Sequence, residues 1–185
     1  MTRPRHSRHR KGNQGCRLAA TLAATTLAAS PAVASASDRD ALLTALDDEY
    51  RAEATYQAVI DRFGEVRPFI NIIQAEQRHA QMVIAQMQRV GMKVPENHHL
   101  GNIDAPDSLL QACETGIEAE IENVALYDRI LPTIEDPSIR ATLERLQAAS
   151  RDRHLPAFER CVARGGTPGR GRGGGGGGGG WGRGD

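Results

Sequence analysis

Residues 69–90 read FINIIQAEQRHAQMVIAQMQRV, and this stretch decides the fold class. Its apolar residues Phe69, Ile72, Ile73, Ala80, Val83, Met87 and Val90 recur at helical spacing, which predicts an amphipathic helix. Glu76 and His79, three residues apart, fall on the same inward stripe. An unpaired carboxylate in a core costs several kcal/mol, so Glu76 needs a metal, an ion pair or a raised pKa. The partner has to come from elsewhere in the chain. Helical periodicity accounts for nearly all of residues 38–164, and no strand signal competes with it.

Working outward, the first helix is expected to begin with Ser37 or Asp38 as N-cap and to end at Phe63, with Gly64 as its stop. Its inward stripe is Leu42, Ala45, Leu46, Glu49, Ala52, Tyr56, Val59, Ile60 and Phe63, an apolar seam interrupted by Glu49. The second helix carries Pro68 in its first turn and stops at Gly91. A polar connection of about 15 residues follows, with a reach of about 50 Å. It contains His98 and His99, which read as an exposed loop, the alternative being a surface metal site. The third helix is expected to open at Pro106-Asp107 and to end before Pro132, with Leu109, Cys113, Gly116, Ile117, Glu120, Val124, Tyr127 and Leu131 inward. Glu114, Glu118 and Glu122 then point to solvent. The fourth takes Asp136 as cap and Pro137 in its first turn, and turns Leu143, Leu146, Ser150, His154, Ala157, Phe158 and Cys161 inward until Gly165. Pro156 removes one backbone hydrogen bond and is expected to kink or loosen this helix just past His154. The expected architecture is all-α: an antiparallel four-helix bundle with a long crossover between helices 2 and 3.

The halves repeat. Glu49 is followed seven residues later by Tyr56, as Glu120 is by Tyr127; Glu76-x-x-His79 in the second helix is matched by Arg151-x-x-His154 in the fourth. This is the pattern of a pseudo-twofold through a layer of carboxylates. Glu49-Tyr50-Arg51-Ala52-Glu53-Ala54-Thr55-Tyr56 and Ala75-Glu76-Gln77-Arg78-His79 resemble the first two helices of rubrerythrin-related, ferritin-like di-iron proteins. Pro68-Phe69-x-Asn71-Ile72 with Ser150-Arg151-Asp152-Arg153-His154-Leu155-Pro156-Ala157-Phe158 resembles an exported ferritin-like domain family of uncharacterised function, over residues 38–164. The resemblance implies that Glu49, Glu76, His79, Glu120 and His154 are metal ligands, with Glu76 bridging. It implies a divalent metal, iron by family, and oxidase, ferroxidase or peroxidase chemistry. By ligand chemistry alone manganese or zinc also suits the set.

One position departs from the pattern. A complete site of this class uses four carboxylates and two histidines, and here Arg151 stands where the fourth carboxylate belongs. An inward guanidinium would leave a net charge of −2, enough for one divalent ion, and pairing of Arg151 with Glu76 or Glu120 would replace the metal altogether. The centre therefore reads as di-iron, as mononuclear, or as a metal-free network of Glu, His, Arg151, Tyr56 and Tyr127 in a helical binding module of the cell envelope. The two tyrosines read chiefly as core packing, with hydrogen bonding or electron gating at the site as alternatives. With the ligands of helices 3 and 4 level, Cys113 and Cys161 each lie seven residues away on the same side, about 10 Å along the axis, and are expected to form a disulfide.

The ends have their own compositions. Residues 1–36 carry six of the 23 basic side chains and none of the 23 acidic ones, then an Ala/Leu/Thr-rich run and A-x-A sequences at Ala32-Val33-Ala34 and Ala34-Ser35-Ala36. This reads as a secretory signal peptide, giving a secreted or periplasmic location and a soluble mature protein. Cys16 is expected to leave with it, and the remaining Cys113 and Cys161 to meet an oxidising compartment. The mature chain has a net charge of about −6, which excludes a nucleic-acid-binding balance. Residues 165–185, Gly/Arg-rich with Trp181 and a terminal Arg183-Gly184-Asp185, are expected to be a disordered tail.

Overall fold

Helix α1 (Ala36–Phe63) begins earlier than its sequence suggests. Ser35, not Ser37 or Asp38, is the N-cap: its hydroxyl accepts the Asp38 N–H at 3.1 Å and the Asp38 carboxylate accepts the Ser35 N–H at 3.3 Å. Asp38 is unavailable as a cap because its other oxygen accepts the backbone N–H groups of Glu135 (2.9 Å) and Asp136 (3.3 Å), pinning the start of α1 to a distant turn. The computed structural model describes residues 34–167. The expected signal peptide up to residue 33, including Cys16, and the expected tail from residue 168, including Trp181, lie outside the described residues.

Four further helices follow: α2 (Phe69–Arg89), α3 (Leu109–Ile130), α4 (Pro137–Ala149) and α5 (Leu155–Ala163). Among the described residues there is no strand, and no helix is long and apolar enough to cross a membrane. Helix α3 starts later than expected, because the Ser108 hydroxyl caps it by accepting the Gln111 N–H at 3.1 Å, while Asp107 instead pairs with Arg62. A 3-10 turn at Leu131–Thr133 ends it. A π-helical turn, Ser150–His154, joins α4 to α5 in one rod. The loosening expected at Pro156 thus lies just before the proline.

The end of that rod corrects the expected boundary at Arg164. The Gly165 N–H bonds to the Val162 carbonyl and the Gly166 N–H to the Cys161 carbonyl, the paired bonds that close a helix through a left-handed residue. Gly166 is buried, and a Cβ there would lie 2.4 Å from the Leu110 nitrogen. The chain past α5 therefore seats on the first turn of α3 before the tail begins.

Helix α1 lies along α2, and α3 lies along α5 and the π turn, with further contacts between α1 and α3 and between α2 and α4. The residues 91–106 run over α1: the Tyr50 hydroxyl reaches the Pro95 carbonyl and Arg62 donates to the Ala105 carbonyl. Two apolar clusters result. One contains Leu42, Leu46, Val83, Met87, Ile139 and Leu143; the other contains Tyr56, Phe69, Ile73, Phe158, Cys113 and Cys161. Cys113 and Cys161 form the expected disulfide, Cα–Cα 5.9 Å, tying α3 to α5. Between the clusters each helical rod contributes its polar residues, so the carboxylates and imidazoles form a layer closed above and below by hydrocarbon.

Candidate metal centre

Glu49 from α1, Glu76 and His79 from α2, Glu120 from α3 and His154 from the π turn meet in this layer, all buried. Glu76 is central. One of its oxygens lies 2.9 Å from His79 Nδ1 and the other 3.0 Å from His154 Nδ1. A second carboxylate stands at the same nitrogen of each imidazole: Glu49 is 3.3 Å from His79 Nδ1, and Glu120 is 3.5 Å from His154 Nδ1. The rings are near parallel, with centroids 5.5 Å apart. Glu49, Glu76 and His79 make one cluster of three ligand atoms, and Glu76, Glu120 and His154 a second, each with all its atoms within 4.8 Å of one another.

The tyrosines complete the repeat. Tyr127 Oη donates to Glu49 Oε1 and Tyr56 Oη to Glu120 Oε1, both at 2.8 Å, leaving Oε2 of each carboxylate facing its histidine. Tyr56 also packs against Phe69 and Phe158, with centroids 5.9 and 5.3 Å away, so packing and hydrogen bonding are both its work. Burial drives both phenols well above their ordinary pKa, and the neighbouring carboxylates add to it, so each stays a donor.

The protons of the metal-free layer follow from the same contacts. Burial disfavours the charged imidazoles, but the carboxylates outweigh it: Glu49 and Glu76 hold His79 at about 9, and Glu120 and Glu76 hold His154 at about 10. Burial raises Glu76 too, yet the close approach of the His154 and His79 imidazoles overrides it and keeps this carboxylate below its usual range. In Glu49 burial wins, helped by the charge of Glu76 and opposed by His79, and the carboxyl is raised.

Arg151 is not in this layer. It is exposed and pairs with Asp152 at 2.8 Å, so neither expected inward role, as counter-charge or as partner to Glu76 or Glu120, is realised. The π turn is the reason. Its wider turn rotates each residue less than an α-helix does, so the side chain stacked beneath His154 is Ser150, four residues back, and not Arg151, three back. The site thus keeps three carboxylates, a formal −3 with neutral imidazoles. Asp48 escaped the sequence reading. It is buried between Arg51 and Asn123, and the Asn123 Nδ2 donates to it. The i,i+3 spacing of Asp48 and Arg51 was the available signal; the Asn123 contact is tertiary.

No family model matches the chain, and no curated protein matches it. Among solved structures it is similar to the crystal structure of a hypothetical protein from Methanococcus jannaschii DSM 2661, 19% identical, with a TM-score of 0.62. The match covers 70% of this chain and 82% of that one. The likeness is one of fold.

The donor set itself fits a divalent metal. It is all carboxylate oxygen and imidazole nitrogen, the donors such ions take. His154 Nδ1 is buried and makes no hydrogen bond, although Glu76 Oε1 is only 3.0 Å away: the oxygen lies off the direction in which the ring N–H would point. A buried ring nitrogen left without a hydrogen bond is an unsatisfied group that a bound ion could satisfy. A groove of about 420 Å³ between α2 and the α4–α5 rod reaches both imidazoles past Ile72, Met82, Arg78 and Arg153. Small molecules have a route to the layer there.

Proposed function

We propose that the chain is an exported ferritin-like protein, an antiparallel four-helix bundle whose centre binds two divalent metal ions, iron by resemblance. Glu49 and His79 would hold one ion and Glu120 and His154 the other, with Glu76 placed to serve both. The observation that carries this reading is the position of Glu76, with one oxygen at each histidine Nδ1 and a second carboxylate converging on that same nitrogen. Bound iron would supply electrons to dioxygen or peroxide, the oxidase, ferroxidase or peroxidase chemistry of the resemblance. The protein's own residues hold the ions, fix the carboxylates through Tyr56 and Tyr127, and exclude bulk water from the layer. Three carboxylates offset three of the four charges of two divalent ions, which leaves the pair able to attract an anionic ligand.

Residues 37–164 represent the expected mature domain, but Ser35 and Thr167 belong to the folded part, so the test uses a chain that includes both. The metal-free protein is reconstituted anaerobically with iron, manganese or zinc in separate samples, and bound metal is counted by mass spectrometry. Two equivalents that depend on the buried layer, lost together in Glu76→Gln and one at a time in Glu49→Gln or Glu120→Gln, are expected. One equivalent that depends on these residues would make the centre mononuclear. None, with the helical fold intact, would turn the layer into a structural network and the chain into a binding module of the envelope.

A further inference from the structure

A second group of possible ligands lies on the outside of α1. Asp47 faces solvent two residues before Glu49, and the segment 91–106 lays His98 and His99 over it. His99 Nε2 is 2.9 Å from Asp47 Oδ1 and His98 Nε2 is 3.9 Å from the same oxygen, with the ring centroids 4.1 Å apart. One ligand atom from each of the three lies within 4.8 Å of the others. Ligands at about 2.0–2.1 Å around a tetrahedral zinc ion stand about 3.3 Å from each other. The observed separations straddle that value, so small side-chain rotations bring all three atoms onto one ion.

The loop is built to hold this arrangement. Asn97 Nδ2 donates to the Tyr50 carbonyl (3.3 Å) and to Glu53 Oε2 (3.2 Å), while its Oδ1 accepts the His99 N–H at 3.0 Å. Asn102 Nδ2 donates to the His98 carbonyl at 2.8 Å. The backbone on both sides of the histidine pair is thereby tied down, and little ordering is left for a ligand to impose. The Asp47 oxygen is in hydrogen-bond range of one imidazole only, and the His98 side chain is 73% exposed, open to an ion from solution.

We infer that Asp47, His98 and His99 form a second metal site, on the surface and independent of the buried layer, for a divalent ion of the zinc type. Both imidazoles ligate in the neutral form through Nε2 and Asp47 as carboxylate; the remaining positions face solvent and take water or a donor from a partner.

The full chain, stripped of metal, is titrated with Zn²⁺ in competition with a fluorescent zinc indicator, beside Asp47→Asn and His98→Ala. Both changed side chains are exposed, and circular dichroism checks that the helices persist. The wild type is expected to hold one equivalent more than either variant, or to hold it more than tenfold tighter, since a lost ligand costs at least what a lost outer partner does. Bound Cu²⁺ gives a second readout: its electron paramagnetic resonance is expected to show two nitrogen ligands in the wild type and one in His98→Ala. Equal stoichiometry and affinity in all three proteins would overturn the inference. The result does not depend on the buried centre, because an empty layer leaves a difference of one equivalent against none.

Discussion

At pH 7 a divalent ion entering the buried layer must expel the protons of His79 and His154. These groups titrate at about 9 and about 10 in the metal-free protein, two and three pH units above neutrality. At 1.36 kcal/mol per unit the two displacements together cost on the order of 7 kcal/mol at pH 7. Metal affinity should therefore climb with pH by about 100-fold per unit on account of these two protons up to about 9, then by about tenfold per unit to about 10, where it flattens. Below about 8 the raised carboxyl of Glu49 adds a third proton and steepens the slope further. Titration calorimetry of iron(II) or zinc in two buffers of different ionisation enthalpy counts the protons released, and about two to three are expected at pH 7. Release of fewer than one, with an affinity that is flat between pH 6.5 and 8.5, would refute the protonation scheme even though metal binds. The sign reverses for the metal-free fold. Raised histidine pKa values contribute stability that is complete below the unfolded value of about 6.5 and is lost as pH rises through 9 to 10. Chelator-treated protein should thus lose thermal stability on the alkaline side just where metal binds best.

Three other outcomes follow from the packing. The Cys113–Cys161 bond spans a sequence separation of 48, which on the loop-entropy model is worth about 4 kcal/mol; the double change to Ala should lower the urea midpoint accordingly, and a loss below about 1 kcal/mol would count against that account. Gly116→Ala would place a Cβ 2.6 Å from the Phe158 ring, which is fully buried against Tyr56 and Phe69. The overpacking cost of about 1–3 kcal/mol should exceed the gain of about 1 kcal/mol in helix propensity, and a raised melting temperature would contradict it. If the leader is removed, mass spectrometry of the exported protein should find Ser35 as the first residue, since cleavage after Ala36 would delete the cap of α1 and cost about 1 kcal/mol; a chain that begins at Ser37 would be the contrary result.

The residues of the buried layer were legible because each breaks a regular pattern. Glu49, Glu76, Glu120 and His154 are polar interruptions of apolar stripes, and a stripe is a local property of spacing. The cysteine pairing followed from counting turns away from those positions. Arg151 was misplaced because the count assumed an unbroken α-helix, whereas the π turn at Ser150–His154 alters the phase of the α4–α5 rod. The start of α1 was misjudged for a similar reason. Ser35, Ser37 and Asp38 are all competent caps in isolation, and the choice is made by the amides of Glu135 and Asp136, a hundred residues away in sequence. Asp48 and the clasp of residues 95–102 on α1 likewise depend on neighbours that no local pattern announces.

The two phenol bonds run crosswise: α3 supplies the hydroxyl for the carboxylate of α1, and α1 the hydroxyl for that of α3. Each helix therefore reads the axial position of the other twice, at points seven residues apart. A slide of α1 along α3 by one residue, about 1.5 Å, would pull both phenols off their acceptors together. Neither half of the layer can drift while the other stays in place. The pair acts as a vernier, and substitutions far along either helix that shift its register should be felt equally at Glu49 and Glu120.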